Sequence, residues 1–322
     1  MQAKSATFLR AAVISALALA APSAIAQTKS VATTYIVDHP AIDALVKGVK
    51  DVLTEAGYKD GSTLTWKQQS AQGNPTIAAQ IAKTFVGAKP DVIVAVGTPS
   101  AIAAATETKT IPIVFGGITD PVGAKLVKSL KAPGANVTGT SDMSPMDKHM
   151  DMIKRLWPNA KRIGFLYNSG EANSVTLLKL AKEEAAKRGL TIVEAVAPQT
   201  SQVLTAARSL VGKADVVYLP TDNTVAAAVE AVVKISREAK LPTFAADTGM
   251  VKKGAVAGLG FDYYQLGRVT GEMVVQILKG AKPQTMPVRF VDKLSLVINS
   301  TSAKAVDFAI TDAWKKEAEI VD

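Results

Sequence analysis

A chain of 322 residues with 48% hydrophobic content can bury a full core, and its size favours two domains over one. The net charge of +9 falls to +7 once a basic leader is removed, and the lysines scatter over helix faces (Lys47, Lys50, Lys179, Lys182, Lys187) with no Lys/Arg block or interleaved aromatics, which argues against a nucleic-acid surface. Cysteine is absent, so an exported form would be held by its core alone and could not be lipid-anchored through a leader cysteine.

The N-terminus carries Lys4 and Arg10, then the apolar run AAVISALALAA, then Ala24-Ile25-Ala26 before Gln27. This pattern predicts a secretory signal peptide over 1–26, cleaved after Ala26, with an apolar core too short for a permanent anchor. Nothing downstream approaches 18 uninterrupted apolar residues, so no direct membrane insertion is expected after leader removal. A soluble exported protein stays with the cell only where something encloses it, which points to a Gram-negative periplasm.

A strand is predicted over 30–37, ending at Asp38-His39-Pro40. An amphipathic helix over 41–57 follows, with Ile42, Leu45, Val49, Val52 and Leu53 on one face. A strand over 64–70 leads through Gln72-Gly73-Asn74-Pro75 into a helix to Phe85. The stretch from 91 to 127 reads as strand, turn, short helix, strand, turn and a helix ending near Lys131. Its apolar runs DVIVAVG and IPIVFGG have the pattern of strands buried on both faces of a parallel sheet. Both end in glycine followed by small hydroxyl or acidic residues, at the sheet edge where open α/β folds bind ligands. A strand over 137–141 precedes a helix over 146–156, where the chain is expected to cross into a second lobe.

The second lobe starts with a strand over 162–168 and the turn Asn168-Ser169-Gly170-Glu171-Ala172-Asn173. A helix over 174–188, a strand over 191–197 and a helix over 201–211 come next. The stretch 215–254 then repeats 91–127: Asp91 falls on Asp215, Thr98 on Asp222, Ser100 on Thr224 and Gly117 on Asp247. A fainter echo pairs Tyr35 with Tyr167. A strand over 255–261, a helix over 263–279 capped by Asp262, an extended segment over 288–299 and a terminal helix complete the pattern. This alternation predicts an α/β fold of two lobes with parallel sheets. The expected division is 27–143 with part of 263–285 for the first lobe, and 144–262 with part of 286–322 for the second. Two or three hinge crossings would join them.

The turns suit binding better than catalysis. The chain lacks GxSxG, HExxH and P-loop motifs, has only His39 and His149 as histidines, and spaces no acids as metal ligands, so no cofactor or metal is expected. Thr98, Ser100, Thr119 and Asp120 offer hydroxyls and helix-start N–H groups to a carboxylate. Asn173, Asp222, Asn223 and Asp247 offer acceptors for an ammonium group, and His39 sits at the end of the first strand beside them. Capping is the competing role for Asp120, Asp222 and Asn223. A zwitterion such as an amino acid would satisfy both sets. Tyr35, Phe115, Tyr167, Tyr218 and Phe261 lie near strand ends as candidate aromatic walls, although several must be core.

The runs QGNPTIAAQIAKTFVGAKPDVIVAVGTPSA, TKTIPIVFGGITDPVGAKLV, PGANVTGTSDMSP, YNSGEANS, DNTV, GLGFDYYQLGR and DKLSLVINSTSAKA, covering about 35–305 in order, resemble the ABC-transporter substrate-binding family that includes tryptophan, tyrosine and phenylalanine binders. The resemblance implies a type I periplasmic binding protein, a Venus-flytrap of two Rossmann-like lobes on a multi-crossing hinge, monomeric and without enzymatic activity. It implies an ABC permease and its separate ATPase as partners. It also implies that the turns bearing Thr98, Ser100, Thr119, Asp120, Asn173, Asp222 and Asn223 line the cleft. A ligand sensor for a membrane receptor, or an exported enzyme of the same fold, are the alternatives.

Overall fold

The computed structural model describes residues 28–322, and the expected leader lies outside the described residues. Strands β1 (Lys29–Tyr35), β2 (Leu64–Ser70), β3 (Val92–Val96), β4 (Ile113–Gly116) and β5 (Val137–Ser141) alternate with helices α1 (Pro40–Glu55), α2 (Pro75–Ala88) and α3 (Thr98–Glu107). They form a parallel sheet in the order β2-β1-β3-β4-β5. Every residue of β3 and β4 is buried, because helices cover both faces of the sheet.

The next segment repeats this build. It contains α4 (Met146–Leu156), β6 (Arg162–Tyr167), α5 (Ala172–Ala186), β7 (Thr191–Val196), α6 (Val203–Ser209), β8 (Val216–Leu219), α7 (Asn223–Ala227), α8 (Val229–Ala239), β9 (Thr243–Ala245), α9 (Thr248–Lys252) and β10 (Ala257–Phe261). Its parallel order, β7-β6-β8-β9-β10, is the first order again. The sequence repeat therefore has a physical counterpart at the strand starts. Asp91 accepts from Ser30 N (2.8 Å) and ties β3 to β1, and Asp215 accepts from Arg162 N (2.8 Å) and ties β8 to β6.

The chain then returns to the first lobe. Helix α10 (Tyr263–Leu278), capped by Asp262, packs along α1, and β11 (Arg289–Phe290) pairs with β5. The helices meet at backbone distance: a Cβ on Gly48 would fall 2.4 Å from Tyr264 O, and one on Gly267 2.1 Å from Leu45 O. Strand β12 (Leu294–Asn299) runs antiparallel to β10, and α11 (Ser300–Ala305), α12 (Asp312–Glu317) and β13 (Glu319–Val321) complete the second lobe. The chain passes between the two sheets after β5, after β10 and after β11.

Two expectations fail locally. No helix forms over 121–131: Pro121 and Gly123 start a single turn, Lys125 takes a left-handed φ of 58°, and Leu126 and Val127 drop into the core instead. The helix after β8 breaks at Ala228 into α7 and α8. Among the described residues, no helix is long and apolar enough to cross a membrane.

Candidate functional site

The carboxyl edges of the two sheets face one cavity. The first lobe contributes His39 after β1, Ile42 and Leu45 from α1, Gly97 and Thr98 after β3, Thr119 after β4 and Asp142 after β5. The second contributes Asn173 at the start of α5, Thr221, Asp222 and Asn223 after β8, and Asp247 and Met250 around α9. Tyr263, in the first turn of α10, closes the hinge side. The lobes touch here: Asn223 Oδ1 lies 3.3 Å from where a Cβ on Gly97 would stand, and Gly97 holds a φ of 81°.

Seven of the nine expected residues line this cavity: Thr98, Thr119, Asn173, Asp222, Asn223, Asp247 and His39. Ser100 and Asp120 do not. Ser100 is fully buried in α3 behind the wall, its Oγ without a partner. Asp120 closes its own turn instead, its Oδ1 accepting from Gly123 N at 2.8 Å.

The second-lobe wall is a preorganised acceptor surface. Asp222 Oδ2 accepts from Asn168 N and Ser174 Oγ, both at 2.6 Å, and Oδ1 accepts from Val225 N at 2.8 Å, capping α7. Burial and the neighbouring Glu171 carboxylate push Asp222 above the ordinary carboxylate range. Glu171 itself is buried and accepts from the Asn223 side chain, from Asn173 Nδ2 (3.2 Å) and from Thr224 N and Oγ1 (3.2 and 3.0 Å). With its Nδ2 so engaged, Asn173 presents Oδ1, a buried acceptor with no partner. Thr221 Oγ1 and His39 Nδ1 are likewise buried and unpartnered. Burial pushes His39 down to about 4, so it faces the cavity as a neutral ring at pH 7.

Three carboxylates line the cavity, Asp142, Asp222 and Asp247, and among the described residues no lysine or arginine does. Burial raises all three; Asp247 rises to about 6, helped by the charge of Asp142. The apolar share of the wall is Ile42, Leu45, Val96, Ala226, Met250 and the Tyr263 ring. Tyr35, Phe115, Tyr167 and Tyr218 are instead buried in the cores, and Phe261 faces a second hollow near the hinge. His149 is also a core residue, its Nδ1 2.6 Å from Tyr218 OH.

Asp142, Tyr263, Thr221, Met250 and the supporting Glu171 escaped the sequence reading. Asp142 had a usable signal, an acid within three residues of the end of a buried strand, as at Asp222 and Asp247. Tyr263 had none, since only the return of α10 to the first lobe brings it to the hinge. Among the described residues, no three His, Cys, Asp or Glu side chains converge as a metal site.

The family described as ABC transporter substrate binding protein matches residues 30–321. A tyrosine-binding protein of Clostridioides difficile (strain R20291) is 41% identical over 279 residues, spanning 87% of this chain and 81% of the relative. The crystal structure of an ABC domain from Streptococcus pneumonia in complex with L-Trp is 37% identical, with a TM-score of 0.88 over 92% of this chain and 100% of that one. A ligand-free, open substrate-binding protein with adhesive properties from Clostridium difficile is 41% identical, yet superimposes only at 0.69 over 91% and 99%. The more identical of these two chains, the one described as ligand-free and open, thus superimposes less well than the one in complex with L-Trp. Two parallel-sheet lobes in this arrangement are the periplasmic-binding-protein fold, in a family of binders rather than enzymes, and the chain belongs to the ABC transporter substrate-binding protein family.

Proposed function

We propose that this protein captures a free amino acid with an aromatic side chain and delivers it, from the periplasm, to the permease of an ABC importer driven by a separate ATPase. The observation that carries the reading is the set of unpartnered buried polar atoms, Asn173 Oδ1, Thr221 Oγ1 and His39 Nδ1, on residues that line one cavity with three carboxylates. Buried polar groups are ordinarily satisfied, so such a wall is completed by a polar solute. The carboxylates and Asn173 suit an ammonium group. The hydroxyl of Thr98, with the first-turn N–H groups of α3, suits a carboxylate. Ile42, Leu45, Met250 and Tyr263 leave an apolar side for the ring. Relatives named for tyrosine and crystallised with L-Trp support the same chemistry.

The test is a thermal-shift and calorimetric screen of the chain without residues 1–26, as a monomer, against the proteinogenic amino acids. Tyrosine, tryptophan or phenylalanine should raise the melting midpoint most, because a ligand of the native state alone stabilises it by mass action. If no amino acid shifts the midpoint, the reading is wrong.

A further inference from the structure

At the start of α7 the lobes meet through an amide whose orientation the second lobe dictates. Asn223 Nδ2 donates to Glu171 Oε2 at 2.5 Å, and Asn223 N reaches the same oxygen at 3.3 Å. The other oxygen, Oε1, accepts from Thr224 N and Oγ1 at 3.2 and 3.0 Å. Glu171 is only 5% exposed, and its carboxylate accepts in every hydrogen bond it makes among the described residues. An acceptor there leaves the Asn223 amide one way to lie, nitrogen toward Glu171 and oxygen away. Oδ1 accordingly points across to the first lobe, where it stands 3.3 Å from the Cβ position of Gly97. His39 of the first lobe meets the same amide. Burial keeps its ring neutral at pH 7; against burial, the Asn223 side chain favours the charged ring, the direction an acceptor gives. His39 Nδ1 is buried without a partner among the described residues, so the nitrogen left to face Asn223 is Nε2. A neutral imidazole carries one N–H, and its other nitrogen is an acceptor.

We infer that Glu171 and Asn223 are positioning residues that lock His39 in the tautomer protonated at Nε2, so that Nδ1 offers the cavity a bare lone pair. Glu171 accepts from Asn223 Nδ2, Asn223 Oδ1 accepts from His39 Nε2–H, and Nδ1 is left to accept from a solute. The role of one ring nitrogen is set by the hydrogen bond the other makes. The inference rests on the amino-acid reading for the solute, and adds what selects a donor at this point of the wall. Glu171 and Asn223 belong to the second lobe and His39 to the first, so the selection exists only where the lobes meet. With the lobes parted, water satisfies the ring in either tautomer. A solute N–H or O–H therefore meets a fixed acceptor on the first lobe only when the second lobe is in place, which makes the contact one that favours the joined state.

Nitrogen-15 NMR of the histidine rings tests this on the chain without residues 1–26, with L-tryptophan as the ligand, because protonated and bare ring nitrogens resonate far apart. The protein has two histidines, and His39→Gln identifies the His39 signals by their loss. In the wild-type complex His39 should carry its proton on Nε2 alone. Asn223→Ala should leave a mixture of both tautomers and weaken L-tryptophan about tenfold by calorimetry, the scale of one hydrogen bond. Asn223→Ser, which keeps a hydroxyl for Glu171 but is too short to reach across, gives the same comparison if Asn223→Ala does not fold. A wild-type proton on Nδ1 overturns the inference, as does a variant that keeps the wild-type tautomer or the wild-type affinity. Failure of wild type to bind any amino acid overturns the functional reading instead, and the ligand-free tautomers of wild type and variant then decide the relay by themselves, identical ones ending it.

Discussion

Asp222 is the residue at which capping and binding compete. Its carboxylate reaches the cavity wall, but three protein donors already occupy it: Asn168 N, Ser174 Oγ and Val225 N. Removing it strands those donors in a buried turn, which costs about 3 kcal/mol where several are left unsatisfied. Asp222→Ala should therefore lower the urea midpoint of the ligand-free protein before any effect on ligand is considered. Unchanged stability with lost binding would make Asp222 a pure ligand contact. The sequence places an acid within three residues of the ends of β8 and β9 and so locates Asp222 and Asp247, yet it cannot separate these two roles. Glu171 is illegible for a different reason. Its partners, Asn223 and Thr224, belong to a turn brought beside it only by the pairing of β6 with β8.

Helices report their amphipathic face in sequence but not the element that covers it. The pattern predicts helix α10 over nearly its true span, whereas its seat on α1 depends on glycines meeting at backbone distance, which no periodicity encodes. That seat has a functional consequence, because Tyr263 leads α10 and holds Asp142. Gly267→Leu should force the helices apart and destabilise the protein by about 3 kcal/mol, at the upper end of overpacking. It should also weaken ligand binding by displacing Tyr263. At Gly87, in the exposed part of α2, an added Cβ would meet nothing within 4 Å. Gly87→Ala should raise stability by about 0.5–1 kcal/mol and leave affinity unchanged. Urea unfolding and calorimetry on both variants distinguish the tight helix crossing from a generic effect of glycine replacement. The missed turn at 121–131 teaches the same lesson in reverse: its apolar spacing suits a helix, but Pro121, Gly123 and the buried side of the turn prevail.

At the scale of the whole molecule, the two-lobed design is readable because the chain repeats itself, and the setting of one lobe against the other is not, because lobe angle leaves no mark in sequence. Folding buries titratable groups whose shifts oppose one another. A carboxyl raised by folding, such as Asp247 at about 6, contributes stability that is present at low pH and lost as pH rises through 6. His39 and His149, both held down to about 4 by burial, act the other way: their contribution is intact above the ordinary histidine value and is lost as pH falls toward 4. Between pH 4 and 6 these terms work against each other, so the melting midpoint of the ligand-free protein is a poor reporter of the site. The increment caused by ligand is a better one, because an ammonium group favours ionised Asp247 and Asp222, and its own charge is constant over this range. Proton release from Asp247 accompanies binding below pH 6 and has finished by pH 8. Amino-acid affinity should accordingly be about tenfold weaker at pH 5 than at pH 8, one pH unit below the raised carboxyl. Calorimetry in buffers of different ionisation enthalpy would register the released proton at pH 5 and none at pH 8. Equal affinity at both pH values, with no proton released, would mean that the ammonium group is held elsewhere than by these carboxylates.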